Sequence, residues 1–277
     1  MCTTTLPPFY ARHLLQVNFI TFHLHQRLPI LLFPLPSLWP FGYNGFVIGL
    51  IVGSALSFKG EWEERVVDTP CGPPSAPFKM GTLGGLEVAL LRRHGPEGKV
   101  PPHRINHRAN IYAMKALGVE AVVGVNSVGS LKEALSPGTL LVPHDFLCPW
   151  SVLTFFDEEA VHITPQLDEG LRRALIEAAR RAGIEVWPRG VYVQTVGPRL
   201  ETKAEIAMLK AFGDVVGMTM AHEATLCCEL GLPYASLCSV DNYAHGIGDE
   251  PLSDEEIRRR ARENSGRVEA VLEELRP

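Results

Sequence analysis

The stretch Val216-Gly217-Met218-Thr219-Met220-Ala221-His222-Glu223 is followed, further along the chain, by Ser239-Val240-Asp241-Asn242-Tyr243-Ala244. Between them, helical periodicity covers residues 221–230 and stops at a glycine, and an apolar run at 234–240 is typical of a buried strand. A strand, a helix and a second buried strand in succession predict an α/β fold. In such folds, polar residues at the ends of neighbouring strands lie close together.

The remainder of the chain continues this alternation. Apolar runs predict further strands at 46–52, 87–91, 121–125, 139–142, 186–194 and 215–217. Periodicity predicts further helices at 105–117, 167–182, 202–212 and 253–275, and the last of these opens on a capping serine followed by acidic residues. We therefore predict an α/β fold with a central mixed sheet flanked by helices.

The composition is that of an ordinary globular protein. Of 277 residues, 46% are hydrophobic and 21% are charged. No linker-like stretch interrupts residues 45–277, which we predict to form one domain. The net charge of -5 argues against a nucleic-acid partner, because proteins that bind nucleic acids carry basic surfaces.

Residues 1–44 differ from the rest of the chain, since they are rich in Leu, Phe and Pro. Their apolar stretch at 28–36 is short and interrupted by prolines, which argues against a membrane span. No small-residue cleavage site follows it, as a signal peptide would require. We predict a poorly ordered extension, or a start codon placed too far upstream.

The cysteines show no spacing typical of a metal site, so we predict no bound metal. Free thiols are typical of a reducing compartment, which favours a cytoplasmic location. A crosslink at Cys227 and Cys228 is the alternative, although disulfides are rare inside cells.

Polar side chains follow several of the predicted strands. They are Ser54, Arg93, His94, Asn126, Ser127 and Thr219. Hydroxyl groups, an arginine fork and a histidine together suit an oxyanion such as phosphate. Because the chain has no GxxxxGK[ST] motif, we expect free phosphate rather than a nucleoside triphosphate. Each residue also has an ordinary alternative as a turn, loop or helix-cap residue.

Glu223 and Asn242 form a second candidate group. A carboxylate accepts hydrogen bonds, whereas an amide NH₂ donates them. Such a pair can bind a flat heterocycle that carries an N–H beside a carbonyl, which is the edge that a 6-oxopurine presents. The residues alone therefore predict a purine-binding site next to an oxyanion site.

Several motifs in register resemble one enzyme family. They are Arg93-His94-Gly95, the Pro-His-Arg-Ile-Asn-His-Arg-Ala-Asn-Ile run at 102–111, Asn126-Ser127-Val128-Gly129-Ser130-Leu131, Gly197-Pro198-Arg199-Leu200-Glu201-Thr202 and the two opening stretches. Over residues 46–275 the chain resembles the purine nucleoside phosphorylase and methylthioadenosine phosphorylase family, and most of all its 6-oxopurine, methylthioinosine phosphorylase-like branch. The resemblance implies a phosphorylase/hydrolase-like fold, a homotrimer or homohexamer, no cofactor, and inorganic phosphate as co-substrate.

The resemblance also implies roles for individual residues. The oxyanion group named above matches phosphate-binding positions, with His94 and Asn242 as catalytic residues. The residues matching the nucleoside pocket are Met218, Glu223, Asn242, Tyr243 and Ala244. His162 matches a histidine that closes the 5′ end of the sugar pocket across a subunit interface, and Glu201 and Asp254 match positions that tune specificity.

These roles lead to an expected activity. Asn242 can donate to a 6-oxopurine, and Ala244 cannot accept from the amino group of adenine. We expect phosphate-dependent cleavage of inosine and guanosine, with S-methyl-5′-thioinosine as a further candidate. Three alternatives stay open: an S-methyl-5′-thioadenosine phosphorylase, a hydrolase of the same fold, and a nucleoside-binding protein whose phosphate loop is impaired by Val52 and Ala55. The acidic Glu201 and Asp254 favour a 5′-hydroxyl over a 5′-methylthio group.

Overall fold

The computed structural model describes residues 46–248 and 252–276, so the predicted N-terminal extension lies outside the described residues. The strands are β1 (Val47–Val52), β2 (Glu63–Arg65), β3 (Phe78–Leu83), β4 (Leu86–Arg92), β5 (Ala121–Ser130), β6 (Leu140–Leu141), β7 (Asp145–Leu147), β8 (Val186–Trp187), β9 (Val191–Gln194), β10 (Val215–Gly217) and β11 (Tyr234–Tyr243). The helices are α1 (His107–Ala116), α2 (Glu169–Arg181), α3 (Lys203–Leu209), α4 (Met220–Glu229) and α5 (Asp254–Glu273).

The strands of the described residues join one sheet. Side by side lie β2, β3, β4, β1, β5, β10, β9 and β7, while β11 pairs with β5 and β6, and β8 pairs with β6. Pairing is parallel from β4 through β1 and β5 to β11, and antiparallel between β2, β3 and β4. This arrangement confirms the predicted α/β fold with a mixed central sheet.

The core lies between the middle of the sheet and the helices α2 and α5. Leu175 of α2 and Val271 of α5 are fully buried against apolar residues of β1, β5 and β11, among them Val123 and Leu237. Full burial of one such aliphatic side chain stabilises the fold by about 1.5–3 kcal/mol. This packing holds the two longest strands, β5 and β11, in place.

The strand predicted at 186–194 is wrong in extent. The structure divides it into β8 and β9, with Pro188 directly after β8. Proline has no N–H to donate to a sheet ladder, so a strand does not continue regularly through it.

The β3–β4 hairpin contains β3, a strand that the apolar runs of the sequence did not predict. Its turn is Gly84-Gly85, and both glycines have positive φ values, 57° and 85°. Tight hairpin turns favour such values because they match the twist of the flanking strands. The alternating burial of β3 is the pattern of a half-exposed strand, which a search for continuous apolar runs does not detect.

The strands β5 and β11 are both longer than predicted. Asn126 and Ser127 therefore lie within β5, opposite Cys238 and Ser239 of β11, rather than after its end. The register of β11 shifts between Val240 and Asn242, which leaves Asp241 as an extra residue. Such bulges redirect side chains, and they are frequent beside functional sites.

Within the described ranges, no helix has the length and apolar character needed to cross a bilayer.

Candidate functional site

A cavity of about 790 Å³ lies where the ends of β1, β4, β10 and β11 meet the middle of β5 and one side of α5. Most of the residues singled out from the sequence line it. They are Ser54, Arg93, His94, Asn126, Ser127, Glu201, Met218, Thr219, Asn242, Ala244 and Asp254. This convergence is expected, because ligands of open α/β sheets bind at the carboxyl ends of the strands.

Ser54 lies exposed in the turn after β1, next to the loop that follows β4. In that loop Gly98 has a φ of +69°, and a Cβ atom at this position would lie 2.8 Å from Cβ of Ser54. Only a residue without a side chain fits such a left-handed conformation at this separation without strain. The loop therefore approaches the serine closely at Gly98, while Ser54 itself remains exposed.

His94 is held in one orientation by its own loop. Its Nδ1 lies 2.8 Å from the carbonyl oxygen of Val100. A carbonyl only accepts, so Nδ1 must carry the proton, and Nε2 is an acceptor when the ring is neutral. Burial, together with the positive charges of Arg93 and Arg258, lowers the pKa of His94 below its ordinary value. A neutral ring can accept the proton of a hydrogen phosphate ion.

Arg93 is fully buried and forms a bidentate ion pair with Glu223. Its Nε donates to Glu223 Oε1 at 2.5 Å, and its Nη2 donates to Oε2 at 3.0 Å. Tyr234 Oη donates to the same Oε2 at 2.8 Å. Although burial lowers the pKa of Arg93, its pairing with Glu223 raises that pKa above the ordinary value. The positive charge at this end of the cavity is therefore permanent, but largely neutralised.

The guanidinium of Arg93 is also tied to the sheet. Nη1 donates to the carbonyl of Val125 at 2.9 Å, and Nη2 donates to that of Ile51 at 3.3 Å. Four of the five N–H groups of the guanidinium thus donate within the protein: Nε–H, both hydrogens of Nη2 and one hydrogen of Nη1. The second hydrogen of Nη1 remains for a ligand. Arg93 can therefore offer an anion one donor rather than its full fork.

Thr219 occupies the N-cap position of α4, but its side chain makes no capping bond. Its N–H donates to Tyr192 Oη at 3.2 Å, and the N–H of Ala221 donates to Gln194 Oε1 at 2.6 Å. These N–H groups at the start of the helix are thus satisfied within the protein. Thr219 contributes its hydroxyl group to the cavity, and Asn126 Nδ2 donates to that hydroxyl oxygen at 2.8 Å.

The other end of the cavity brings together Glu201, Asn242 and Ala244. Thr195 Oγ1 donates to Glu201 Oε1 at 2.5 Å, which orients that carboxylate. One hydrogen of Asn242 Nδ2 is donated to the carbonyl of Tyr243 at 2.8 Å. A Cβ atom at position 129 would lie 3.0 Å from Asn242 Nδ2, so a glycine there makes room for the amide.

Three of the predicted site residues do not line the cavity. Glu223 is fully buried, with Arg93 and Tyr234 on its carboxylate. Tyr243 lies between Asn242 and Ala244, which both line the cavity, and its own hydroxyl donates to the carbonyl of Glu133. Successive side chains of a strand point to opposite faces, which explains this placement. His162 is exposed in the loop before α2.

Glu223 and Asn242 were predicted to bind the purine base together, and the position of Glu223 corrects this pairing. Its carboxylate interacts with Arg93 and Tyr234 instead of facing the cavity. Glu201, unlike Glu223, lines the cavity together with Asn242. In the sequence, Glu201 follows a Gly-Pro-Arg-Leu turn without a preceding apolar strand end, so a search at strand ends does not select it.

Asp241 and Arg258 also line the cavity, and the sequence reading missed both. Arg258 Nε donates to Asp254 Oδ2 at 2.7 Å on the first turns of α5. Asp241 is buried and accepts from Ser239 Oγ and Asn264 Nδ2. Burial raises the pKa of Asp241 above its usual value, and the hydroxyl and amide groups of Ser127, Ser239 and Asn264 offset only part of that rise.

We expect Asp241→Asn to stabilise the protein by on the order of 1 kcal/mol near pH 7, because a buried charge is removed while an acceptor oxygen remains. A carboxyl with a raised folded-state pKa costs stability above that pKa and none once it is protonated in both states. The gain should therefore vanish as the pH falls toward the ordinary value of 3.8. Urea unfolding at several pH values measures it.

The matched control is Asp68→Asn, which removes an exposed carboxylate. We expect this control to change the free energy of unfolding by less than about 0.5 kcal/mol. Equal effects of the two substitutions at every pH would contradict the assignment of a buried, charged Asp241.

Metal-ligating side chains do not form a cluster of three or more anywhere in residues 46–248 and 252–276. The cysteines in these ranges are all free, including Cys227 and Cys228. Hydroxyl, amide, imidazole and guanidinium groups thus provide the polar surface at the phosphate-type end of the cavity.

The chain is similar in sequence to known proteins. The model of the phosphorylase superfamily matches residues 47–276. The probable 6-oxopurine nucleoside phosphorylase of Archaeoglobus fulgidus is 46% identical over 232 residues, covering 82% of this chain and 95% of that protein. The probable S-methyl-5′-thioinosine phosphorylase of Thermodesulfovibrio yellowstonii is 41% identical over 218 residues, covering 76% and 82%.

A solved structure shows the same fold. Methylthioadenosine phosphorylase from Schistosoma mansoni, in complex with adenine, superposes with a TM-score of 0.75 and 29% identity. The superposition covers 83% of this chain and 90% of that one. From its sequence match and its fold, the chain belongs to the phosphorylase superfamily.

Proposed function

We propose that the protein is a purine nucleoside phosphorylase that cleaves 6-oxopurine nucleosides with inorganic phosphate. The products are the free base and ribose 1-phosphate, or methylthioribose 1-phosphate from S-methyl-5′-thioinosine. The observation that carries the proposal is a single cavity with two chemically different ends. One end offers hydroxyl, imidazole and guanidinium groups to an anion, and the other offers a carboxylate and an amide to a heterocycle.

At the first end, Ser54 and Thr219 donate hydroxyl protons to phosphate, Arg93 adds its one uncommitted N–H, and Ser127 lies beside the anion with its hydroxyl proton directed to Asp241. Neutral His94 accepts the proton of hydrogen phosphate, and Asn126 acts through Thr219. Phosphate is the co-substrate, and the reaction needs no cofactor. Positive charge develops at C1′ as the glycosidic bond lengthens, so the bound anion both stabilises the sugar and attacks it.

At the second end, Asn242 donates to O6 or N7 of the departing base, which stabilises the negative charge that develops there. We assign to Glu201 the role first predicted for Glu223, which is to accept the N1–H of a 6-oxopurine. Ala244 offers no acceptor for the amino group of adenine. A site whose polar groups are left unpaired by the wrong base discriminates strongly against that base. Met218 packs against the sugar.

The 5′ end of the nucleoside is assigned to the start of α5. Asp254 and Arg258 form an ion pair there and line the cavity. Charged groups at this position favour a 5′-hydroxyl, which can hydrogen-bond to them, over an apolar methylthio group. This supports inosine and guanosine as the preferred substrates.

We also propose a homotrimer or homohexamer in the cytoplasm, without nucleic-acid or membrane partners. Large apolar side chains are exposed near Glu201, among them Trp150, Val196 and Met208. Contiguous exposed apolar surface favours contact between protomers. His162 is exposed, as a residue contributed to a neighbouring protomer's sugar pocket would be in the isolated chain. Free thiols favour a reducing compartment.

The test is product analysis with a panel of nucleosides, each with and without phosphate. The panel comprises inosine, guanosine, S-methyl-5′-thioinosine, adenosine and S-methyl-5′-thioadenosine. We expect cleavage only with phosphate, and a kcat/KM for inosine at least about 100-fold above that for adenosine. Cleavage without phosphate would indicate a hydrolase, and hypoxanthine binding without cleavage would indicate a binding protein.

A second candidate function is that of an S-methyl-5′-thioadenosine phosphorylase, which the likeness to the Schistosoma mansoni structure favours. The same panel separates the two candidates. Turnover of S-methyl-5′-thioadenosine equal to or faster than that of inosine and S-methyl-5′-thioinosine would establish the second candidate.

A further inference from the structure

Three buried polar side chains form a chain of hydrogen bonds that ends at the phosphate end of the cavity. Ser236 Oγ donates to Asn126 Oδ1 at 2.8 Å, and Asn126 Nδ2 donates to Thr219 Oγ1 at 2.8 Å. Ser236 is fully buried and does not line the cavity, whereas Asn126 and Thr219 do.

The direction of this chain decides what Thr219 presents to a ligand. An amide donates at one end and accepts at the other. Because Asn126 donates to Thr219 Oγ1, the hydroxyl proton of Thr219 is left to point into the cavity. If the amide were reversed, Thr219 would have to donate to Asn126 Oδ1 and would turn oxygen lone pairs toward a bound anion.

Ser236 sets the direction of the chain. Its hydroxyl lies 2.8 Å from Asn126 Oδ1 and 3.5 Å from Cys238 Sγ. In the observed arrangement it donates to the amide oxygen, and in the reversed one it would have to donate to sulfur, which is a weak acceptor. The stronger acceptor therefore keeps the amide oxygen of Asn126 on the side of Ser236.

We propose that Ser236 is a positioning residue for phosphate: through Asn126, it directs the hydroxyl proton of Thr219 into the cavity. The proposal rests on the proposed phosphorolytic function and adds to it a residue that touches neither substrate. A phosphate ion needs donors on every side, so a reversed hydroxyl replaces one favourable contact with a repulsive one.

The test compares Ser236→Ala with Cys238→Ala. Both substitutions remove one buried heteroatom from the same strand, but only the first removes the donor to Asn126. We expect Ser236→Ala to raise the KM for phosphate by about 10-fold, as loss of one hydrogen bond to a charged group would do. The KM for inosine and the kcat at saturating phosphate should stay within about twofold of the wild type. Cys238→Ala should leave the KM for phosphate unchanged.

A second variant applies if Ser236→Ala does not fold. Asn126→Asp has the same shape but only accepts, so Thr219 must donate to it. The reversed hydroxyl and the negative charge added beside the anion should together raise the KM for phosphate by about 100-fold or more. If Ser236 had only a structural role, Ser236→Ala would lower the thermal midpoint of unfolding without changing the KM for phosphate. An unchanged KM in Ser236→Ala, or an equal rise in Cys238→Ala, would overturn the proposal.

Phosphate binding can also be measured without activity, from the increase in the thermal midpoint of unfolding that phosphate produces. We expect this increase in the wild type and in Cys238→Ala, and a much smaller one in Ser236→Ala at the same phosphate concentration. If the wild type binds phosphate but cleaves no nucleoside, the proposed function fails while this comparison still decides the role of Ser236.

Discussion

Replacing Arg93 by alanine is expected to lower the free energy of unfolding by about 3–5 kcal/mol, because it leaves Glu223 buried without its partner. Arg93 and Glu223 are 2% and 1% exposed, and two hydrogen bonds join them. Tyr234 Oη would remain on the carboxylate, but a hydroxyl does not compensate for a lost guanidinium charge. This loss of stability should thus exceed the loss caused by replacing any other side chain that offers phosphate a single donor.

Chemical unfolding of the wild type, Arg93→Ala, Glu223→Ala and the double variant measures this coupling. We expect the double variant to lose less stability than the sum of the single variants, by at least about 1 kcal/mol. The control is Arg92→Ala, whose side chain donates to the carbonyl of Leu56 at 3.4 Å, and which should cost less than about 1 kcal/mol. Strict additivity of the Arg93 and Glu223 variants would show that the ion pair does not act as a unit.

Replacing Glu201 by glutamine is expected to lower kcat/KM for inosine by about 100-fold, with little change in stability. The amide turns one acceptor of the carboxylate into a donor, and a donor facing the N1–H of a 6-oxopurine leaves both groups unpaired. Turnover of adenosine, whose N1 is an acceptor, should fall far less. Steady-state kinetics with both nucleosides at saturating phosphate checks the prediction.

Glu223→Gln is the matched control, since it makes the same chemical change at the carboxylate that is buried beneath Arg93. We expect it to reduce stability and to raise the KM for phosphate, while the ratio of inosine to adenosine turnover stays as in the wild type. If Glu223→Gln altered that ratio and Glu201→Gln did not, the assignment of the base acceptor to Glu201 would be wrong.

Much of the site could be predicted without a structure, because its polar residues occur at sites where strands end or helices begin. Ser54, His94 and Thr219 follow β1, β4 and β10 and all reach the cavity. Glu223 shows the limit of this reasoning. Its place in the first turn of α4 gave no sign that it faces Arg93, a residue far from it in the sequence.

The sequence by itself determined the alternation of strands and helices, the family and the set of polar residue types, since these depend on local periodicity and on motifs in register. Only the tertiary structure decided which of the two candidate glutamates lines the cavity. The choice between Glu201 and Glu223 depends on which of them meets a buried guanidinium and which does not. Likewise, the direction of the chain from Ser236 to Thr219 depends on pairing between β5 and β11, because hydrogen bonds between distant residues have no local signature.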